Sequence, residues 1–225
     1  TTAVRVLIDH HLHPPVDGYA VQFSDTHACS TSYIVYQLLE ALAGTDAIDQ
    51  AMAESLYVGI MTDTGNFSFS SLTSDLFRAV AVLIDKGVNV PYVNSSVYNN
   101  FSEGRMRLLG YMLNDKMVTD YEFGVAYVSL TEEEMRRFDF IQGDSEGFVN
   151  YPLSIRGIRM SAMFIQTKHS IRVSLRSRGE VDVNVFARRY FDGGGHRNAA
   201  GGKSYVPMNE TLENFRKYLR EYFGA

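Results

Sequence analysis

"VLIDHHLHP", residues 6–14, drives an apolar, β-branched run straight into an aspartate and two histidines. The run VRVLID over residues 4–9 predicts a short buried parallel strand, because it lacks the polar alternation of a half-exposed one. In open α/β sheets, ligands gather beyond the carboxyl ends of the strands. Asp9, His10 and His11 stand at such an end. Imidazole nitrogen beside carboxylate oxygen suits a borderline divalent metal. A metal-binding imidazole also needs its second nitrogen held by an acceptor, a task open to Asp9 or to a backbone carbonyl. One histidine at a strand end would be an ordinary polar residue. The Asp-His-His triplet on an apolar strand favours a metal site, while His13, followed by two prolines, reads as a loop residue.

Outward from this stretch, helix and strand signals alternate. Residues 32–42 carry apolar side chains at helical spacing behind the capping candidates Ser30 and Thr31. Residues 46–56 read as a helix capped by Asp46, and LYVGIM after it reads as a second apolar strand that meets Asp63. That reading would deliver Asp63 to the same rim as Asp9, His10 and His11. Residues 73–87 have a capping threonine, an amphipathic body and a terminal glycine, which predicts a helix. The alternation predicts an α/β domain with a partial parallel sheet over residues 1–101. Residues 102–117 read as a connecting helix. From 118 to 225 the text turns to strand pairs and amphipathic helices, a mixed-sheet α+β domain.

Composition narrows the class. The chain has 225 residues, 45% of them hydrophobic and 21% charged, which suits a globular protein with a substantial core. No apolar run reaches the roughly 20 residues that cross a bilayer, and no secretory leader is read, so no membrane partner is expected. A single cysteine, Cys29, suits a reducing cytoplasm. A net charge of −5 argues against a broad basic face for long duplexes, yet remains compatible with a small anionic substrate held by metals and a few arginines.

The second half carries its own candidates. In "YFDGGGHRNAAGG", residues 190–202, three glycines permit close backbone approaches, and successive amides could form an anion-binding nest. Gly194, Gly195 and His196, followed by the cation Arg197, fit a phosphate or nucleotide contact better than a plain linker. In "SLRSR", Ser174 to Arg178, strand alternation points Arg176 and Arg178 to one face, where Arg176 could clamp a phosphate. Tyr190 or Phe191 beside the glycines could stack on a base.

"LIDHH", "GIMTDTGNFSF", "SLRSR" and "GGGHRNAAGG", in that order, resemble the DHH phosphoesterase superfamily. The branch is similar to the nanoRNase and pAp-phosphatase group, also called exopolyphosphatase-related. The resemblance spans essentially the whole chain and implies a DHH domain followed by a DHH-associated substrate-binding domain. It implies a two-metal hydrolysis with manganese, magnesium being the other candidate. His10 and Asp63 would be metal ligands, His11 would contact the scissile phosphate, and Asp9 would orient the site. Ser174, Arg176, Gly194, Gly195 and His196 would bind substrate. Short oligoribonucleotides or 3′-phosphoadenosine 5′-phosphate are the implied substrates. Linear or cyclic dinucleotides, or nucleotide binding without catalysis, are the alternatives, and the branch implies a homodimer. Family members carry further metal aspartates on strands ahead of the DHH stretch, in an Asp-x-Asp segment that this sequence lacks. The expectation is therefore that this stretch is the C-terminal piece of a longer enzyme and is itself inactive.

Overall fold

The computed structural model describes residues 3–12, 14, 17–69 and 72–224, and His13 lies outside them. The chain divides into two compact units, Thr1–Asn100 and Phe101–Ala225.

In the first unit, β1 (Val6–Asp9) pairs in parallel with β2 (Val21–Ser24), Val6 opposite Val21 and Asp9 opposite Ser24. The parallel pairing agrees with the predicted α/β class. The expected double-sided burial does not, since Val6, Val21 and Phe23 remain 38–46% exposed. Four helices follow. They are α1 (Thr31–Ala43), α2 (Gln50–Asp63), α3 (Ser74–Asp85) and α4 (Val90–Tyr98). Each begins at a side chain that accepts an otherwise orphaned backbone N–H: Ser30, Asp49, Thr73 and Asn89 respectively. Asp46 instead lies in a short 3-10 turn, Thr45–Ala47.

The larger correction concerns LYVGIM, which is helical throughout, so α2 runs unbroken to Asp63. A short apolar run reads alike in a buried strand and a buried helix. Packing decides it here. Leu56, Tyr57, Ile60 and Met61 enter the core with Tyr36, Leu76 and Leu83. Gly59 lets α1 come close, because a Cβ there would sit 2.0 Å from Ser32 Oγ. Each fully buried leucine or isoleucine of this core contributes roughly 1.5–3 kcal/mol.

The second unit is built on six strands: β3 (Val118–Asp120), β4 (Val125–Leu130), β5 (Met160–Gln166), β6 (Ile171–Ser177), β7 (Gly194–His196) and β8 (Ala199–Ser204). Their order is β3-β4-β5-β6-β8-β7, with β4–β5 parallel and the other pairs antiparallel, a mixed sheet as expected. Its helices are α5 (Glu103–Tyr111), α6 (Glu132–Arg136), α7 (Val183–Tyr190) and α8 (Met208–Phe223). One sheet face packs Tyr127, Phe164, Val173 and Leu175 against Phe186 of α7 and Phe215 and Leu219 of α8. On the other face Val128, Leu130, Met163 and Ile165 meet Leu108 and Leu109 of α5, Met135 of α6 and Phe148.

The segment 102–117, read as a connecting helix, is α5 followed by a π-turn over Met112–Lys116, and it buries into the second unit. Arg105 fixes it there. Its buried guanidinium donates to the carbonyls of Asp144 and Glu146 and lies over the rings of Phe101 and Phe148.

Candidate active site

The end of β1 delivers three ionisable side chains in different states of exposure. Asp9 Oδ1 accepts from the His11 backbone N–H at 3.2 Å and from His11 Nδ1 at 2.7 Å. Burial alone would raise the Asp9 pKa. The hydrogen bonds from the His11 side chain and backbone outweigh it and hold the carboxyl below its ordinary value. Asp9 is therefore an anion that fixes the His11 tautomer and turns Nε2 away from itself. His11 is exposed, with 59% of its side chain accessible.

His10 is oriented differently. Its Nδ1 lies 3.3 Å from the carbonyl oxygen of Ala28, a group that only accepts, so Nδ1 carries the proton. In the neutral ring Nε2 is then the lone-pair nitrogen, and it lies 3.6 Å from Asp63 Oδ2. Two electron-pair donors at that separation repel each other unless a proton or a cation stands between them. Metal–ligand bonds of about 2.0–2.2 Å bring two neighbouring ligand atoms to a comparable distance. Asp63 also ends α2, where the negative pole of the helix dipole disfavours a carboxylate and a cation relieves it. The donor set and its outer support, a carbonyl behind His10, fit a borderline divalent ion such as manganese.

Asp63 reaches this position from a helix end rather than from a strand. The turn after it is tightly held. Thr64 Oγ1 donates to the Ile60 carbonyl and accepts from the Phe67 N–H. Gly65, Asn66 and Phe67 are all left-handed, with φ of 56, 55 and 58°. Such backbone is costly for a phenylalanine and persists only where its surroundings impose it. Burial pushes the neighbouring Cys29 thiol up, and the Asp63 carboxylate adds to the effect, so Cys29 is a packing residue rather than a nucleophile. The sequence reading missed the supporting loop after β2, whose Ala28 carbonyl holds His10. The alternating run VQFS leading into Asp25 was its signal.

In the second unit the register gathers the remaining candidates. Ser174 lies opposite Gly201, and Gly201 opposite Gly194. Arg176 lies opposite Ala199, and Ala199 opposite His196. Residues directly across an antiparallel pair share a row. The five candidates thus fall on β6 and β7, the two strands that flank β8 at one edge of the sheet. Arg172, Ser174 and Arg176 project from β6 on the side opposite Ile171, Val173 and Leu175, which enter the core. Small residues, Ala199 and Gly201, leave room beside them. Desolvation lowers the Arg176 pKa, against the pull of the Glu146 carboxylate. Its Nη1 donates to the Leu175 carbonyl, so the guanidinium is held and half-buried.

The glycine segment is a β-hairpin strand, not an open nest. Gly195, at φ 148°, donates its N–H to Asn184 Oδ1 at 3.0 Å, and the β7–β8 pairing ties Gly194 to Gly201 and His196 to Ala199. Asn184 also accepts from Arg188 Nε at 3.1 Å, bringing an exposed cation beside the glycines. The sequence reading missed this pair, although an i, i+4 Asn–Arg spacing just before the glycines was its cue. Arg197 is engaged by Glu180 at 2.8 Å, and Arg178 is exposed just beyond the end of β6. Neither aromatic that could have stacked on a base stands open beside the glycines. Phe191 is 3% exposed within the core, and Tyr190 is stacked on Tyr218 with ring centroids 4.4 Å apart.

Residues 121–225 match the DHHA1 domain. The chain is 32% identical over 203 residues to a Bacillus subtilis protein named bifunctional oligoribonuclease and PAP phosphatase NrnA, a match covering 88% of this chain and 62% of that one. It is 28% identical over 227 residues to the Bacillus subtilis cyclic-di-AMP phosphodiesterase GdpP, covering 97% of this chain and 32% of the relative. The crystal structure of an exopolyphosphatase-related protein from Bacteroides fragilis superposes with a TM-score of 0.92 at 38% identity, over 98% of this chain and 64% of that one. The chain thus spans slightly less than two thirds of the NrnA and Bacteroides proteins and about a third of GdpP.

Proposed function

We propose that the chain, whose residues 121–225 match the DHHA1 domain and which resembles an oligoribonuclease and PAP phosphatase along most of its length, is part of a DHH-superfamily, metal-dependent phosphoesterase acting on short oligoribonucleotides and on 3′-phosphoadenosine 5′-phosphate. The observation that carries this reading is the 3.6 Å approach of His10 Nε2 to Asp63 Oδ2, with Nδ1 held on the Ala28 carbonyl. His10 and Asp63 would hold manganese, magnesium being the alternative, as part of a two-ion centre. When bound, the metal supplies Lewis acidity to the phosphoryl oxygens and lowers the pKa of water.

The rest follows from the chain's own groups. Asp9 accepts from His11 Nδ1, so that the Nε2 edge of the ring faces outward, where an Nε2–H of the protonated ring would donate to a phosphate oxygen or to the leaving group. Arg176 neutralises a non-bridging phosphate oxygen through a guanidinium that is already desolvated, which strengthens the contact. Ser174 and the β7–β8 backbone position the nucleotide, with His196 at the edge. A reducing cytoplasm and a homodimer complete the proposal. None of the helices among the described residues is long and apolar enough to cross a membrane.

Linear or cyclic dinucleotides are the second reading, favoured by the match to a cyclic-di-AMP phosphodiesterase along nearly all of this chain. Initial rates on pAp, a linear diribonucleotide, cyclic-di-AMP and pyrophosphate, with manganese and with chelator, test both. Manganese-dependent release of mononucleotide from pAp and the diribonucleotide is expected. Turnover of pyrophosphate alone would contradict the nucleotide assignment, and fastest turnover of cyclic-di-AMP would move it to the second reading.

A further inference from the structure

The side of β6 that bears Ser174 continues, away from Arg176, into a second feature. Between α6, the loop around residues 140–145 and the β5–β6 turn lies a cavity of about 450 Å³. That volume is within the range of small-ligand sites. Arg136, Lys168 and Arg172 line it against one carboxylate, Glu132, and Phe140 and Gln142 complete the wall. Three cations facing one anion make it a site for negative charge. The wall is built in advance. The buried Arg105 guanidinium grips the carbonyls of Asp144 and Glu146, and Asp144 Oδ2 accepts from the Ile141 N–H at 2.9 Å. Ser145 Oγ accepts from Arg172 Nη2 at 2.9 Å.

Arg172 and Arg176 stand on the same side of β6, four residues apart, which is about 13 Å along a strand. We infer that this cavity is a second subsite for single-stranded nucleic acid, taking the phosphate and base of a nucleotide further along the chain than the one held at Ser174 and Arg176. The inference rests on the proposed function and deepens it. The cations would meet phosphate oxygens without regard to base, and the Phe140 ring offers an edge of the cavity for stacking. A bisphosphate mononucleotide engaged at Arg176 has no need of the cavity, whereas an oligonucleotide extends into it. Preference for substrate length would then arise inside the second unit.

Isothermal titration of the unmodified protein and of the double variant Arg136→Ala/Lys168→Ala, with a triribonucleotide and with pAp, tests this. Both side chains are exposed, and their removal leaves the core untouched. The triribonucleotide is expected to bind about tenfold more weakly to the variant, with pAp unchanged. The slope of log K against log salt for the trinucleotide should also fall by about 0.7, the share of one phosphate contact on a single strand. Equal weakening of both ligands, or of neither, while the unmodified protein binds both, overturns the subsite alone. Failure of the unmodified protein to bind either ligand overturns the functional reading and the subsite with it.

Discussion

In the first unit, β1 and β2 leave Val6, Val21 and Phe23 38–46% exposed. In the second, β5 buries six of its seven residues. The side chains that differ most in chemistry, Asp9, His10, His11 and Asp63, stand at the thinly covered sheet. They are oriented by hydrogen bonds of short sequence range and by one carbonyl. The residues proposed to face the nucleotide, Ser174 and Arg176, project from a strand whose alternate residues are locked into an aromatic core of Phe164, Phe186 and Phe215. A reactive centre needs lone pairs and access. A binding platform needs a surface that does not move. The two units answer these demands with different amounts of packing.

The contrast breaks most readily at His10. On the proposed function, His10→Ala and Asp63→Asn should each lower manganese-dependent hydrolysis by about a hundredfold or more, because each removes a proposed metal ligand. The melting temperature should hardly move, since neither residue belongs to a core cluster. A large loss of stability in either variant would give these residues the structural role reserved here for the second unit.

The glycines of the second unit sharpen the comparison from the other side. Gly195→Ala should cost about 3 kcal/mol of stability, because the new Cβ would meet Ala199 O at 2.5 Å on a φ of 148°. Gly194→Ala should be nearly neutral for folding, its nearest contacts lying at 3.5 Å. It should weaken nucleotide binding instead. Denaturant unfolding and pAp titration of both variants separate the hinge of the hairpin from the surface it presents.

A smaller effect is expected at Glu134, which receives Lys116, Tyr111 and Thr131. Burial would raise its pKa, yet these hydrogen bonds bring it down to about 2 from an ordinary 4.5. A depressed carboxylate stabilises the fold above 4.5, and that contribution is lost as pH falls from 4.5 towards 2. Glu134→Gln should cost about 2 kcal/mol at neutral pH and flatten this acid limb. Unfolding curves taken across that interval check it.

Much of this was legible in the sequence because the signals are local. Caps at Ser30, Thr73 and Thr131 and the alternation along residues 171–177 mark their elements directly. The DHH triplet and SLRSR were likewise found in their own words. LYVGIM was misread because its strand-like composition is overruled by packing around Gly59, which only the partner helix reveals. The glycine hairpin was misread because residues without side chains carry no alternation, and its pairing with Ala199–Ser204 is fixed by β6 on the far side. β2 was missed since its register depends on β1, and the acceptor behind His10 follows from that pairing.

The central claim is that His10 Nε2 and Asp63 hold the metal, and pulsed electron paramagnetic resonance of bound manganese tests it most directly. The protein loaded with manganese should show a nitrogen coupling that disappears in His10→Ala, with the fold intact. A nitrogen coupling that persists unchanged in that variant would place the ion elsewhere and contradict the account.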